Sequence, residues 1–103
     1  MSWFNSFLAG GTSNRVDGSA ARQLVSEGAL LVDVRTPMEF HSGHIQGAVN
    51  LPLDQLHHRA AELPKDKPLI VYCLSGARSA RASGVLSTAG LGPVHDLGPI
   101  SAW

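Results

Sequence analysis

One side chain in this 103-residue sequence can act as a strong nucleophile: Cys73 is the only cysteine. It stands in Val71-Tyr72-Cys73-Leu74-Ser75-Gly76-Ala77-Arg78-Ser79, a run that leaves an apolar segment and turns through small residues. A chain turning there aims successive N–H groups inward, and a helix starting there adds its unpaired first-turn donors. The result is a concave anion site with a thiol at its centre. A thiolate so placed loses up to several pKa units from a free value of about 8.5. Each unit is worth about 1.4 kcal/mol of preference for the charged form. Arg78 adds a fixed positive charge and a fork for oxyanions, and Gly76 suits a position that needs positive φ or a close approach. The pattern fits a nucleophilic cysteine and serves phosphoryl and sulfur chemistry alike. The bland alternative is an inert thiol buried at a strand end.

The other chemistry-bearing residues are less specific. His41 and His44 are three apart and could share a helical face, but no third ligand has suitable spacing, so no metal is expected. His57 and His58 are adjacent and would point different ways on a helix. Arg81 lies about one turn past the loop, where it either widens the positive field or is an ordinary exposed residue.

Eight basic and eight acidic residues give a formal net charge of zero, without the cationic surplus that nucleic-acid binding requires. A lone cysteine makes no internal disulfide and builds no thiolate zinc site. It implies a reducing compartment. No apolar run approaches a membrane span, and no Lys or Arg precedes Arg15, so the start of the chain lacks a secretory signal's basic region. The cytoplasm is the expected location, with no cofactor.

The elements that must position the cysteine follow from periodicity. Residues 1–14 read as an N-terminal tail, with Trp3, Phe4, Phe7 and Leu8 able to share one face of a short helix. Residues 15–103 read as one domain. Ser19 can cap a helix carrying Ala20, Ala21, Leu24 and Val25, which Gly28 ends. Residues 29–34 form a continuous apolar run, hence a buried strand. Pro37 suits the first position of a short helix through His41. A short strand at 47–50 precedes an amphipathic helix marked by Leu53, Leu56, Ala60, Ala61 and Leu63, which Pro64 stops. Residues 69–72 are a second buried strand ending at Cys73, 79–89 a helix, and 94–97 a last strand. Strands alternating with helices predict an α/β fold with a parallel sheet of about five strands and helices on both faces. Ligands in such sheets sit beyond the carboxyl ends of the strands, where Cys73 lies.

At this point the sequence resembles the rhodanese family. The blocks Leu31-Val32-Asp33-Val34-Arg35, Glu39-Phe40, Gly43 through Pro52, Cys73 through Ser79, and Asp96-Leu97-Gly98-Pro99-Ile100 with Trp103 occur in that family's order and spacing. The resemblance implies a rhodanese-like sulfurtransferase. Cys73 would take sulfur from a donor such as thiosulfate as a persulfide and pass it to cyanide or a thiol. Small-molecule or protein donors and acceptors would be its partners. Leu74, Ser75, Gly76, Ala77, Arg78 and Ser79 would bind the substrate, Arg78 by orienting it. Four residues separate Cys73 from Arg78, as in sulfur-transferring members; related phosphatases enclose five. Asp33 and Arg35 match the family's Asp-x-Arg pair, expected to form a hydrogen-bonded network near the loop. Glu39 and His44 are expected to tie the connection after the strand to the sheet, and Trp103 to close the core. The cover after Trp103 is short by the family's measure, which leaves room for a dimer contact. The rival reading is a non-catalytic module that binds, senses redox state or relays sulfur.

Overall fold

A computed structural model describes residues 14–103. The expected N-terminal tail, with Trp3, Phe4, Phe7 and Leu8, lies outside the described residues apart from Asn14. Helix α1 (Gly18–Ser26) leads into β1 (Leu30–Asp33), α2 (Pro37–His41) and β2 (Val49–Asn50). A 3₁₀ turn (Leu53–Gln55), the short helix α3 (Leu56–Arg59) and another 3₁₀ turn (Ala60–Glu62) follow. Then come β3 (Leu69–Cys73), α4 (Ala77–Thr88), β4 (Val94–Pro99) and a 3₁₀ turn (Ile100–Ala102). The strands form a parallel sheet in the order β2-β1-β3-β4.

The sheet therefore has four strands among the described residues, one fewer than expected. The four are those the sequence places individually; beside β4, the segment Asn14–Val16 closes only one ladder bridge, Arg15 to Asp96. Val16 N–H donates to the Asp96 carbonyl, and Asp96 N–H donates to the Asn14 carbonyl, both at 3.0 Å. The expected helix over 53–63 is broken into three short turns, and α1 is capped by Asp17 rather than Ser19. The Asp17 carboxylate accepts from Ala20 N–H at 2.8 Å, the usual N-cap contact to the third helical residue.

The two-residue period of a strand divides the core into halves. On β3, Leu69, Val71 and Cys73 join Val32, Val34, Leu56, Ala82 and Leu86 on the face covered by α3 and α4. Ile70 and Tyr72 point the other way, to Leu31, Ala21 and Leu97, with Trp103 half-buried at that cluster's edge. The two clusters bury apolar side chains on both faces, which makes the sheet a close-packed base for what stands at its carboxyl end. Arg22 stacks over the Trp103 ring at 4.5 Å. Gly18 packs so closely on the last turn that a Cβ there would collide with the Ala102 carbonyl oxygen.

Candidate active site

Cys73 is the last residue of β3 and is fully buried. Strand alternation delivers its side chain to the α4 side of the sheet. Beyond it the chain turns through Leu74, Ser75 and Gly76 into α4, which begins at Ala77, two residues earlier than expected. Gly76 occupies the N-cap with φ 108°, where a residue with a Cβ is strained. An added Cβ would meet Pro99 Cδ at 3.6 Å, an ordinary contact, so the demand for glycine is conformational rather than steric crowding.

That turn aims main-chain donors at sulfur. Gly76 N–H donates to Cys73 Sγ at 3.0 Å and Ser79 N–H at 3.3 Å. Burial pushes the Cys73 thiol up, but the Ser79 N–H and hydroxyl, with the N–H groups of Gly76 and Arg78, outweigh it. The net effect places its pKa below the ordinary thiol value. Sequence reasoning anticipated both the donors and the special glycine. Leu74, Ser75 and Ala77 are exposed around the loop, Leu74 at 55%.

The Arg78 fork, expected to serve an oxyanion, is taken up by a carboxylate of the chain itself. Arg78 Nη1 donates to Glu39 Oε1 at 2.7 Å and its Nη2 to Glu39 Oε2 at 3.0 Å, a two-point fork. The Arg78 guanidinium, aided by the Thr36 N–H, holds the Glu39 carboxyl down at about 2. Glu39 thus reaches across to the cysteine loop rather than only tying its own connection to the sheet. The signal in the sequence was Thr36-Pro37-Met38-Glu39, a capping box, and the structure closes that box on both sides. Pro37 takes the first helical position as expected.

Beneath the loop, on the opposite face, lies the network expected of Asp33 and Arg35. Both are buried. Arg35 Nη2 donates to Asp33 Oδ2 at 2.7 Å and to the Gly43 carbonyl at 2.7 Å, and Arg35 Nε donates to Asp33 Oδ1 at 3.0 Å. Burial, together with its hydrogen bond to Asp33, raises the Tyr72 hydroxyl to about 12. That hydroxyl also accepts the Ile45 N–H at 3.1 Å. A buried ion pair adds little net stability; its structural work is to lock the 43–45 turn to the ends of β1 and β3. His44 stacks on Phe40 at 3.6 Å and hydrogen-bonds its carbonyl, a local role.

Past the carboxyl ends of the strands, Arg78, Val34, Thr36, Pro52 and Arg81 line a cavity of about 470 Å³. Arg81 and His57 continue into a second, more apolar cavity between α3 and α4. Among the described residues no group of three or more His, Cys, Asp or Glu is placed to hold a metal ion. None of their helices is long and apolar enough to cross a membrane.

Comparison with known proteins agrees with this geometry. Residues 17–103 match the rhodanese-like domain. A sulfurtransferase of Allochromatium vinosum is 42% identical over 93 residues, covering 87% of each chain. The thiosulfate sulfurtransferase GlpE of Ectopseudomonas mendocina is 37% identical over 90 residues, 86% of this chain and 83% of that one. A solved structure described as a rhodanese with anions, from E. coli, superposes with a TM-score of 0.68 at 32% identity. That superposition covers 74% of this chain and 92% of the other. The chain belongs to the rhodanese-like sulfurtransferase family.

Proposed function

We propose that the chain transfers sulfane sulfur through a persulfide on Cys73, with residues 15–103 as the working unit. The observation that carries this reading is the cysteine sulfur itself, which accepts two main-chain N–H groups from a left-handed turn and a helix start. Those donors favour the thiolate, the form that attacks. With thiosulfate as donor, the Cys73 thiolate attacks the outer sulfur, a new S–S bond forms, the donor's S–S bond breaks, and sulfite leaves with the electron pair. The persulfide's terminal sulfur carries the negative charge within reach of the same ring of donors. Cyanide or a thiol then attacks that sulfur, and the Cys73 thiolate is released unchanged.

Leu74, Ser75, Gly76, Ala77 and Ser79 shape the cradle in this reading, and Arg78 faces the donor's anionic end. Thiosulfate is named for GlpE, a relative of this chain, which supports it as the assay donor. The test is intact mass after incubation with thiosulfate. One added sulfur atom on Cys73, removed by cyanide, is expected. A folded protein that stays at its unmodified mass would remove the sulfurtransferase reading.

A further inference from the structure

The arginine of the cysteine loop is already occupied. Both terminal nitrogens of Arg78 are held by one carboxylate, in the same fork an oxyanion donor needs. That carboxylate is anchored in turn. Glu39 Oε1 also accepts from Thr36 N–H at 2.9 Å and from Thr36 Oγ1 at 3.1 Å. Thr36 Oγ1 accepts the Glu39 N–H at 3.2 Å. The Arg78 and Glu39 side chains are 33% and 28% exposed, so the pair stands at the surface. Arg78 also lines the cavity beyond the strand ends, where a small donor would arrive.

We propose that Glu39 sets donor specificity by holding Arg78. It fills the guanidinium's fork and offsets its charge, so a small anionic donor has to displace a carboxylate that a neutral donor leaves in place. Glu39 is a positioning residue in this scheme, since it acts on the donor only through Arg78. The inference rests on the reading of Cys73 as the reacting thiol.

The variant that isolates the effect is Glu39→Gln, which keeps the side chain's shape and its ability to close a capping box but removes the charge. The readout is the ratio of Cys73 alkylation rates with iodoacetate, an anion, and iodoacetamide, a neutral reagent of similar size. Because both react with the same thiolate, the ratio cancels changes in its population. Glu39→Gln should raise the ratio about three- to five-fold at low salt, the worth of one partly exposed ion pair. The gain should shrink as salt screens it. In an Arg78→Gln background the same change should leave the ratio flat. The Michaelis constant for thiosulfate should fall in Glu39→Gln relative to that for a neutral sulfane donor.

An unchanged or lower ratio in folded Glu39→Gln overturns the proposal, and so does an equal rise without Arg78. If circular dichroism shows Glu39→Gln unfolded, Glu39→Asp takes its place. It withdraws the charge by one methylene, and a flat ratio there overturns the proposal as well. Alkylation requires no sulfur transfer. A raised ratio in a protein that never gains sulfur from thiosulfate would therefore sink the sulfurtransferase reading and leave Glu39's action on Arg78 standing. A thiol that neither reagent reaches overturns both.

Discussion

Gly76→Ala separates the two things the loop glycine does. At φ 108° and ψ −19° an alanine is strained by about 1–3 kcal/mol. The added Cβ meets nothing closer than 3.6 Å, so crowding contributes little and the cost is that of the backbone conformation. The chain has two responses. If the turn keeps its shape, the whole strain falls on stability; each 1 kcal/mol lowers the melting temperature of a domain this size by about 4–8 °C. If the turn relaxes, the Gly76 N–H leaves the sulfur it now reaches at 3.0 Å. A hydrogen bond to a charged group contributes about 1.5–3 kcal/mol, so losing this one should raise the Cys73 pKa from its depressed value. The assay is iodoacetamide alkylation of Cys73 across pH, beside a thermal melt. The pH dependence carries its own sign. The folded thiol has a depressed pKa, so the unfolded chain binds more protons in the interval between the two values. Stability from this group is complete above the unfolded value and is lost as pH falls through the folded one. The gap between wild type and a relaxed Gly76→Ala should therefore widen as pH rises through that interval. A variant with the wild-type melting temperature and the wild-type thiol pKa would refute the account of the loop.

Three further outcomes are expected. Cys73→Ser should abolish transfer of sulfur from thiosulfate while leaving the melt nearly unchanged, because the hydroxyl is a weak nucleophile of similar volume; half the activity retained would exclude the persulfide route. Gly18→Ala should destabilise by about 1–3 kcal/mol through overpacking, since its Cβ would collide with the Ala102 carbonyl oxygen and stand 2.9 Å from that of Trp103; an unchanged denaturation midpoint would show the last turn to be loosely held. Glu39, with its carboxyl lowered from 4.5 to about 2 by Arg78 and the Thr36 N–H, stabilises the fold above the higher value and ceases to as acid approaches the lower. Denaturant midpoints in that interval should slope less in Glu39→Gln, and equal slopes would show that the pair does not form in solution.

The cysteine loop was legible in the sequence because everything it needs is local. Cys73, Gly76 and Ser79 lie within seven residues, and strand, turn and helix start follow from residue type alone. Asp33 and Arg35 were legible for the same reason, two residues apart on one strand end. The Glu39–Arg78 pair joins residues 39 positions apart. Thr36-Pro37-Met38-Glu39 fixes where the carboxylate begins but not what it meets across the sheet. The helix expected over 53–63 failed for a related reason. Its apolar residues keep roughly helical spacing, yet the buried ones, Leu56 and Leu63, reach the same core from the single α-turn α3 and from the end of the 3₁₀ turn that follows it. The count of about five strands exceeded the four that could be placed one by one, and Asn14–Val16 does not make up the difference: one bridge at Arg15 sets it beside β4 without enough paired residues to be a strand.

The same bridge changes how the sheet meets other molecules. A parallel sheet with a bare outer strand is a template for strand addition, the route by which β-proteins stick together or recruit extended peptides. Here β4 is already paired on its outer side by Arg15 and the flanking main-chain bonds of Asn14 and Val16. The opposite border is β2, only two residues long, too short to register a partner strand. Among the described residues both borders are thus blunted, so Leu74 and the cysteine loop stand exposed at one end of a sheet whose sides offer little backbone ladder for cross-β growth.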